Sequence, residues 1–96
     1  MRVNAADETR REGLAMAGAD LLRRAVDFHI AAAQRSRYAR AAYYMCVIRD
    51  IYTYFQRENE FKRYFNETIA LNSRRPALRD EMKIVYGGNA VEIRKR

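Results

Sequence analysis

Few side chains in this 96-residue chain have the chemistry of a catalyst or a metal ligand. It carries one cysteine, Cys46, and one histidine, His29. A nucleophilic cysteine needs a cation or a helix N-terminus beside it to lower its pKa. Cys46 sits instead between Met45 and Val47 in an apolar helical pattern, the setting of a small core residue. His29 lies on the apolar side of a predicted helix, and no second His or nearby Cys stands with it to complete a metal site. Carboxylates pair as Glu58 with Glu60 and as Asp80 with Glu81, a spacing that could serve acid/base work or hold a cation. Both pairs fall where helices begin, however, and there acids complement the positive end of the helix dipole. Asn66-Glu67-Thr68 has the pattern of a glycosylation acceptor, which has no use in a chain without an export signal. These residues add up to no catalytic constellation, no metal and no cofactor, so the chain is expected not to be an enzyme.

The charge balance points to binding. Net charge is +7, and the cations are nearly all Arg, with Lys only at Lys62, Lys83 and Lys95. Arg forks onto phosphates and carboxylates in a way that Lys cannot. The basic excess lies in residues 37–96. Arg74, Arg75, Arg79 and Lys83 gather at the start of the last predicted helix, and Arg94-Lys95-Arg96 closes the chain. These seven are the candidate contacts for an anion or a nucleic acid, which would bind with steeply salt-dependent affinity. The competing reading is a solvated face whose cations pair with Glu67, Asp80 and Glu81.

Positioning these groups falls to helices. A hydrophobic share of 49% with a single Pro excludes a disordered polymer, and no apolar run reaches the roughly 18 to 20 residues that cross a bilayer. The basic N-terminus has no apolar segment behind it, so a cytoplasmic protein is expected. A first helix is predicted from Asn4 or Thr9 to about Gln34, with Thr9-x-x-Glu12 as a capping box. Its apolar stripe reads Leu14, Leu21, Leu22, Ala25, Phe28, His29 and Ala32, with Arg10, Arg11, Arg23, Arg24, Asp20 and Asp27 mostly outside it. The second helix, capped by Ser36 and running to about Gln56, carries two stripes at three-and-four spacing. One is Tyr38, Ala41, Ala42, Met45, Ile48, Tyr52 and Phe55; the other is Tyr44, Val47, Ile51 and Tyr54. A helix apolar on most sides must be covered from two directions. A third helix over 60–71 shows Phe61, Tyr64, Phe65, Thr68 and Ile69 on one face, and Tyr52, Tyr54 and Phe55 are expected to pack on its aromatic residues. Asn72 and Ser73 stop and cap, Pro76 opens a fourth helix bearing Leu78, Met82 and Val85, and Gly87-Gly88 ends it. Tyr43, Tyr54 and Tyr86 are the tyrosines left outside the core spacing.

The expected architecture is all-α. About four helices with short connections make an antiparallel hairpin or bundle, and the two middle ones together match the length of one tetratricopeptide-type repeat. Residues 1–88 form the domain, and residues 89–96 form a basic tail, expected to be mobile.

The succession Tyr38-Ala39-Arg40-Ala41-Ala42, Ile48-Arg49-Asp50-Ile51-Tyr52, Arg57-Glu58-Asn59-Glu60-Phe61 and Ser73-Arg74-Arg75-Pro76-Ala77-Leu78 resembles the helical tail of SWIM zinc-finger proteins. The resemblance covers about residues 21 to 85. The zinc module of that family, Cys-x-Cys followed by Cys-x-His, is absent, so metal binding and any nucleic-acid role of that module do not carry over. What the resemblance implies is a tetratricopeptide-like tail that works by interaction.

Taken together, the residues predict a small helical interaction module that binds a protein partner or a second copy of itself, without a membrane. Tyr43, Tyr44, Val47, Ile51 and Tyr54 on the second helix are the candidate interface, since tyrosine and arginine are enriched where proteins meet. Sequence-tolerant nucleic-acid binding is the alternative.

Overall fold

The computed structural model describes residues 5–87, and every regular element among them is helical. The order is α1 (Ala5–Ala31), α2 (Arg35–Tyr54), α3 (Glu58–Leu71), α4 (Pro76–Met82) and α5 (Ile84–Gly87). The tail expected over 89–96 lies outside the described residues. The fold is therefore all-α, with α2 at its centre: α1 packs along one side of it, and α3, α4 and α5 pack elsewhere around it. The doubly apolar pattern of α2 has this arrangement as its cause. Tyr38, Ala41, Ala42, Met45, Ile48 and Tyr52 are buried, and Cys46 joins them as a core thiol. Tyr44 and Ile51 of the second stripe pack on the same core from its margin.

The first helix differs from the expectation. Its buried residues are Ala19, Val26 and Ile30, with Met16 and Leu22 packed beside them. Leu14, Leu21 and Phe28 point to solvent. Periodicity cannot separate the two faces, because both repeat at three-and-four spacing; packing can. α1 packs on α2, and its Ala19, Val26 and Ile30 join Ala41, Ala42 and Met45 of α2 in one buried cluster. Arg23, placed outside the stripe by its charge, is half-buried with its guanidinium 4.1 Å from the centre of the Tyr64 ring.

Three expected caps do not form, and Asn4, the other expected start of α1, lies outside the described residues. Thr9 lies inside α1, where its hydroxyl donates to Ala5 O at 2.9 Å, and Glu12 pairs instead with Arg57 at 3.2 Å. Ser36 is already helical; Gln34 holds the cap position with extended backbone and makes no side-chain cap bond. Ser73 is likewise not the cap of α4, which is Arg75. Asn72 does end α3, its side-chain amide donating to Thr68 O at 2.8 Å. Pro76 opens α4, and Leu78, Met82 and Val85 are buried as expected, although the helix breaks at Lys83 before the last turn. On α3, Phe61 and Thr68 are buried and Tyr64, Phe65 and Ile69 pack against the core. Tyr52 meets Phe61 at 6.2 Å between ring centres, but Tyr54 does not join them and stays exposed.

Both tight turns pass through a left-handed residue that is not glycine: Ala33 at φ 57° and Gln56 at φ 58°. At the end of α2 the Gln56 N–H bonds to Thr53 O and the Arg57 N–H to Tyr52 O, the paired bonds of a Schellman ending with Gln56 where glycine usually stands. A Cβ in that region is costly. Gln56→Gly is accordingly expected to stabilise the fold by about 0.5–1 kcal/mol after the added freedom of the unfolded chain is counted. Chemical denaturation should show a higher midpoint at unchanged slope; a lower midpoint would contradict this account of the turn.

Candidate interaction surface

The basic cluster at the start of α4 divides into residues with different tasks. Arg75 is half-buried and turned inward: its Nη1 donates to Ile30 O at 3.3 Å and to the Tyr38 hydroxyl at 3.0 Å. Ile30 O, at the end of α1, accepts the Ala33 N–H at 3.1 Å as well as the Arg75 bond. Arg75 therefore ties the end of α1, the start of α2 and the start of α4. Lys83 pairs with Asp80 at 3.5 Å, and Asp80 and Glu81 also receive Arg35 from across the turn. The Arg35 and Lys83 bonds hold the Asp80 carboxyl below its usual pKa. Of the expected pairs between the cluster and Glu67, Asp80 and Glu81, only Lys83 with Asp80 forms among the described residues, and Asp80 and Glu81 are taken by Arg35. Arg74 and Arg79 remain exposed, with no ion pair among the described residues. Arg94, Lys95 and Arg96 lie outside the described residues.

This division gives a matched pair of substitutions. Arg75→Met removes a charged donor, leaving the buried Tyr38 phenol without its partner and Ile30 O with only the Ala33 N–H, a loss of about 1–2 kcal/mol. Arg74→Met, one position earlier on the surface, should change stability by no more than about 0.5 kcal/mol. Equal effects in urea titrations would remove Arg75 from its structural role.

Neither group of the sequence-level chemistry is set up to react. Cys46 is buried, and desolvation pushes its thiol pKa up. His29 is half-buried between Phe28 and Tyr44, and its Nδ1 accepts a 2.7 Å hydrogen bond from Arg37 Nε. Desolvation, followed by the charges of Arg37 and Arg40, lowers its pKa below the ordinary imidazole value. Protonation would remove the acceptor and set an imidazolium against a guanidinium. The folded state thus binds a proton less readily than the unfolded chain, so stability falls as pH drops below about 6.5, the unfolded value. No other side-chain type titrates normally in that range. Melting temperature is expected to decline between pH 6.5 and 5 in the parent and to stay flat over that interval in His29→Gln. Identical profiles would contradict the assignment. Burial also raises the Tyr64 hydroxyl, with Asp27 adding to the effect and the nearby Thr68 and Arg23 opposing it, to about 12. Among the described residues no group of three or more His, Cys, Asp or Glu comes together as a metal site, and no helix is long and apolar enough to cross a membrane.

The candidate interface on α2 is only partly available. Tyr44 and Ile51 are engaged with the core and Val47 is half-buried, while Tyr43 and Tyr54 are exposed. Tyr86 is exposed too, as its spacing implied. Between α3 and the last turns lies a shallow 220 Å³ groove of Phe65, Ile69, Met82 and Tyr86 with Arg79 and Lys83 on its rim. That volume is below the range in which proteins hold small molecules.

The larger apolar surface lies on α1, where sequence reasoning had placed core. Leu14, Leu21 and Phe28 are 68%, 64% and 67% exposed and recur every seven residues. Between and beside them, at alternating steps of four and three, stand Arg10, Ala17, Arg24 and Ala31, all exposed. The Arg37 guanidinium rests 5.2 Å from the centre of the Phe28 ring and holds that side chain in place. One helix thus shows two apolar seams, one spent on α2 and one open. No protein-family model, curated protein or solved structure matches this chain.

Proposed function

We propose that the protein is a helical docking module, not an enzyme, and that the outer face of α1 is the surface with which it binds another helix. The observation that carries this reading is the exposed heptad of Leu14, Leu21 and Phe28 on a helix whose opposite face is already buried. Scattered exposed apolar residues need no explanation; three large ones in register along a 27-residue helix do. An a/d repeat with period 3.5 is the pattern that one helix offers to another. A tail like that of SWIM zinc-finger proteins, which the sequence resembles, would imply the same role in interaction. Nucleic-acid binding takes second place, because Arg75 and Lys83 are committed within the chain and leave Arg74 and Arg79 as the free part of the cluster.

A photo-crosslinking residue placed at position 21, in the cells from which the protein comes, tests the reading. A discrete adduct at position 21, absent when the same residue replaces Arg63 on the outer side of α3, is the expected result. Adducts no more specific at 21 than at 63 would contradict it. The mass of the adduct then says whether the bound helix belongs to another protein or to this one.

A further inference from the structure

We infer that the helix received by α1 is the α1 of a second copy, antiparallel, with Ala17 of each copy opposite Leu21 of the other. The inference rests on the docking reading above and adds its occupant and register. The seam is fully exposed: Arg10, Leu14, Ala17, Leu21, Arg24, Phe28 and Ala31 all face solvent. It spans 22 residues, about 33 Å of helix.

Its own charges choose the orientation. In a parallel pair each residue meets its equivalent, so Arg10 faces Arg10 and Arg24 faces Arg24 inside the seam, two desolvated like-charge contacts. Reversing one helix sets the leucine and phenylalanine layers against the alanine and arginine layers. Ala17 then fills against Leu21, small against large. The stem of Arg24 lies along Leu14 with its head in water, and Arg10 comes over the Phe28 ring, where a cation is favoured.

Charge also selects among antiparallel registers. Asp20 and Asp27 line one edge of the seam and, by the two-fold symmetry, meet the same edge of the other copy. In the register with Ala17 opposite Leu21, Asp27 lies at the level of Arg10 of the second copy, giving two ion pairs. Asp20 approaches its own equivalent there, but it is already paired with Arg23 in its own chain at 3.5 Å. Sliding by one heptad, so that Ala17 faces Phe28, brings Asp20 against Asp27 of the other copy twice and loses the Arg10 contacts. Of these two registers the first is the one that the surface fits.

The full chain is tested by light scattering and by disulfide trapping. The parent should be a dimer. A17C and L21C, mixed and oxidised, should form a mixed disulfide, since facing positions fall within the Cα separation that a disulfide spans, while A17C alone should not cross-link. D27R should weaken dimerisation by about three- to tenfold, and R10E combined with D27R should restore it. A dimer in which A17C cross-links to itself would overturn the antiparallel register and leave docking through α1 standing. A monomeric parent at submillimolar concentration would overturn the second-copy inference, with the crosslinker at position 21 still deciding whether α1 docks on another protein. A dimer indifferent to R10E and D27R and trapped by neither cysteine would place the contact elsewhere and overturn the inference entirely.

Discussion

Lysine at both position 14 and position 21 is expected to abolish association through α1 while leaving the melting temperature within about 4 °C of the parent. Each leucine that leaves water on docking contributes roughly 1.5–3 kcal/mol. Two copies place four such side chains in the seam, so their loss amounts to at least about 6 kcal/mol, more than a 10⁴-fold change in affinity. Lysine adds repulsion, because position 14 then faces Arg24 of the other copy. The fold itself should not notice. Both leucines are about two-thirds exposed, neither belongs to the core, and lysine forms helix about as well as leucine. Light scattering with thermal melting of the same samples separates the outcomes. Loss of both association and fold would mean that these leucines hold α1 in place; loss of neither would mean that the seam binds nothing.

Met45→Ala carries the opposite signature. Met45 is fully buried near the middle of α2 and belongs to the core cluster. Truncation leaves a cavity in that cluster, at a cost of about 3 kcal/mol. In a helical domain of this size the whole margin of stability is of order 5–10 kcal/mol. The expected fall in melting temperature is therefore about 15 °C. Leu71→Ala is the control: Leu71 is 85% exposed, and its truncation should shift the transition by no more than a few degrees. If the two substitutions behaved alike, α2 would not be the centre of the core.

These two cases also show which parts of the molecule were legible in its sequence. Met45 was, along with Tyr38, Ala41, Ala42, Ile48 and Tyr52, because neighbours cover α2 on most sides and nearly every apolar position there is a core position. The same holds for Phe61 and Thr68 on α3 and for Leu78, Met82 and Val85 after Pro76. Leu14 and Leu21 were not legible. On α1 both faces carry large apolar residues, Leu14, Leu21 and Phe28 outside and Met16, Leu22, Val26 and Ile30 inside, so side-chain type does not choose between them. What decides is the partner surface: α2 covers the face of α1 that carries Ala19, Val26 and Ile30, a property of two helices together that neither carries alone.

The site residues divided for a similar reason. Arg74 and Arg75 are chemically identical neighbours, and only the positions of Ile30 O and the Tyr38 hydroxyl make one of them structural. Thr9 and Ser36 have the residue type of caps, yet both helices begin upstream of them. The turn that sets the start of α2 is the left-handed Ala33, which no cap signal marks. Tyr43 and Tyr86, by contrast, were placed outside the core by spacing alone and are exposed, whereas Tyr54, also expected on the aromatic face of α3, is not there.

The central claim is that the outer face of α1, and not the tyrosine face of α2, is where this protein binds. Methyl NMR of the full chain, recorded from dilute to concentrated samples with Leu14, Leu21, Leu71 and Val47 resolved, tests it most directly. The account predicts concentration-dependent shifts at Leu14 and Leu21, with Leu71 and Val47 unchanged. Shifts confined to Val47, or spread evenly over all four, would contradict it.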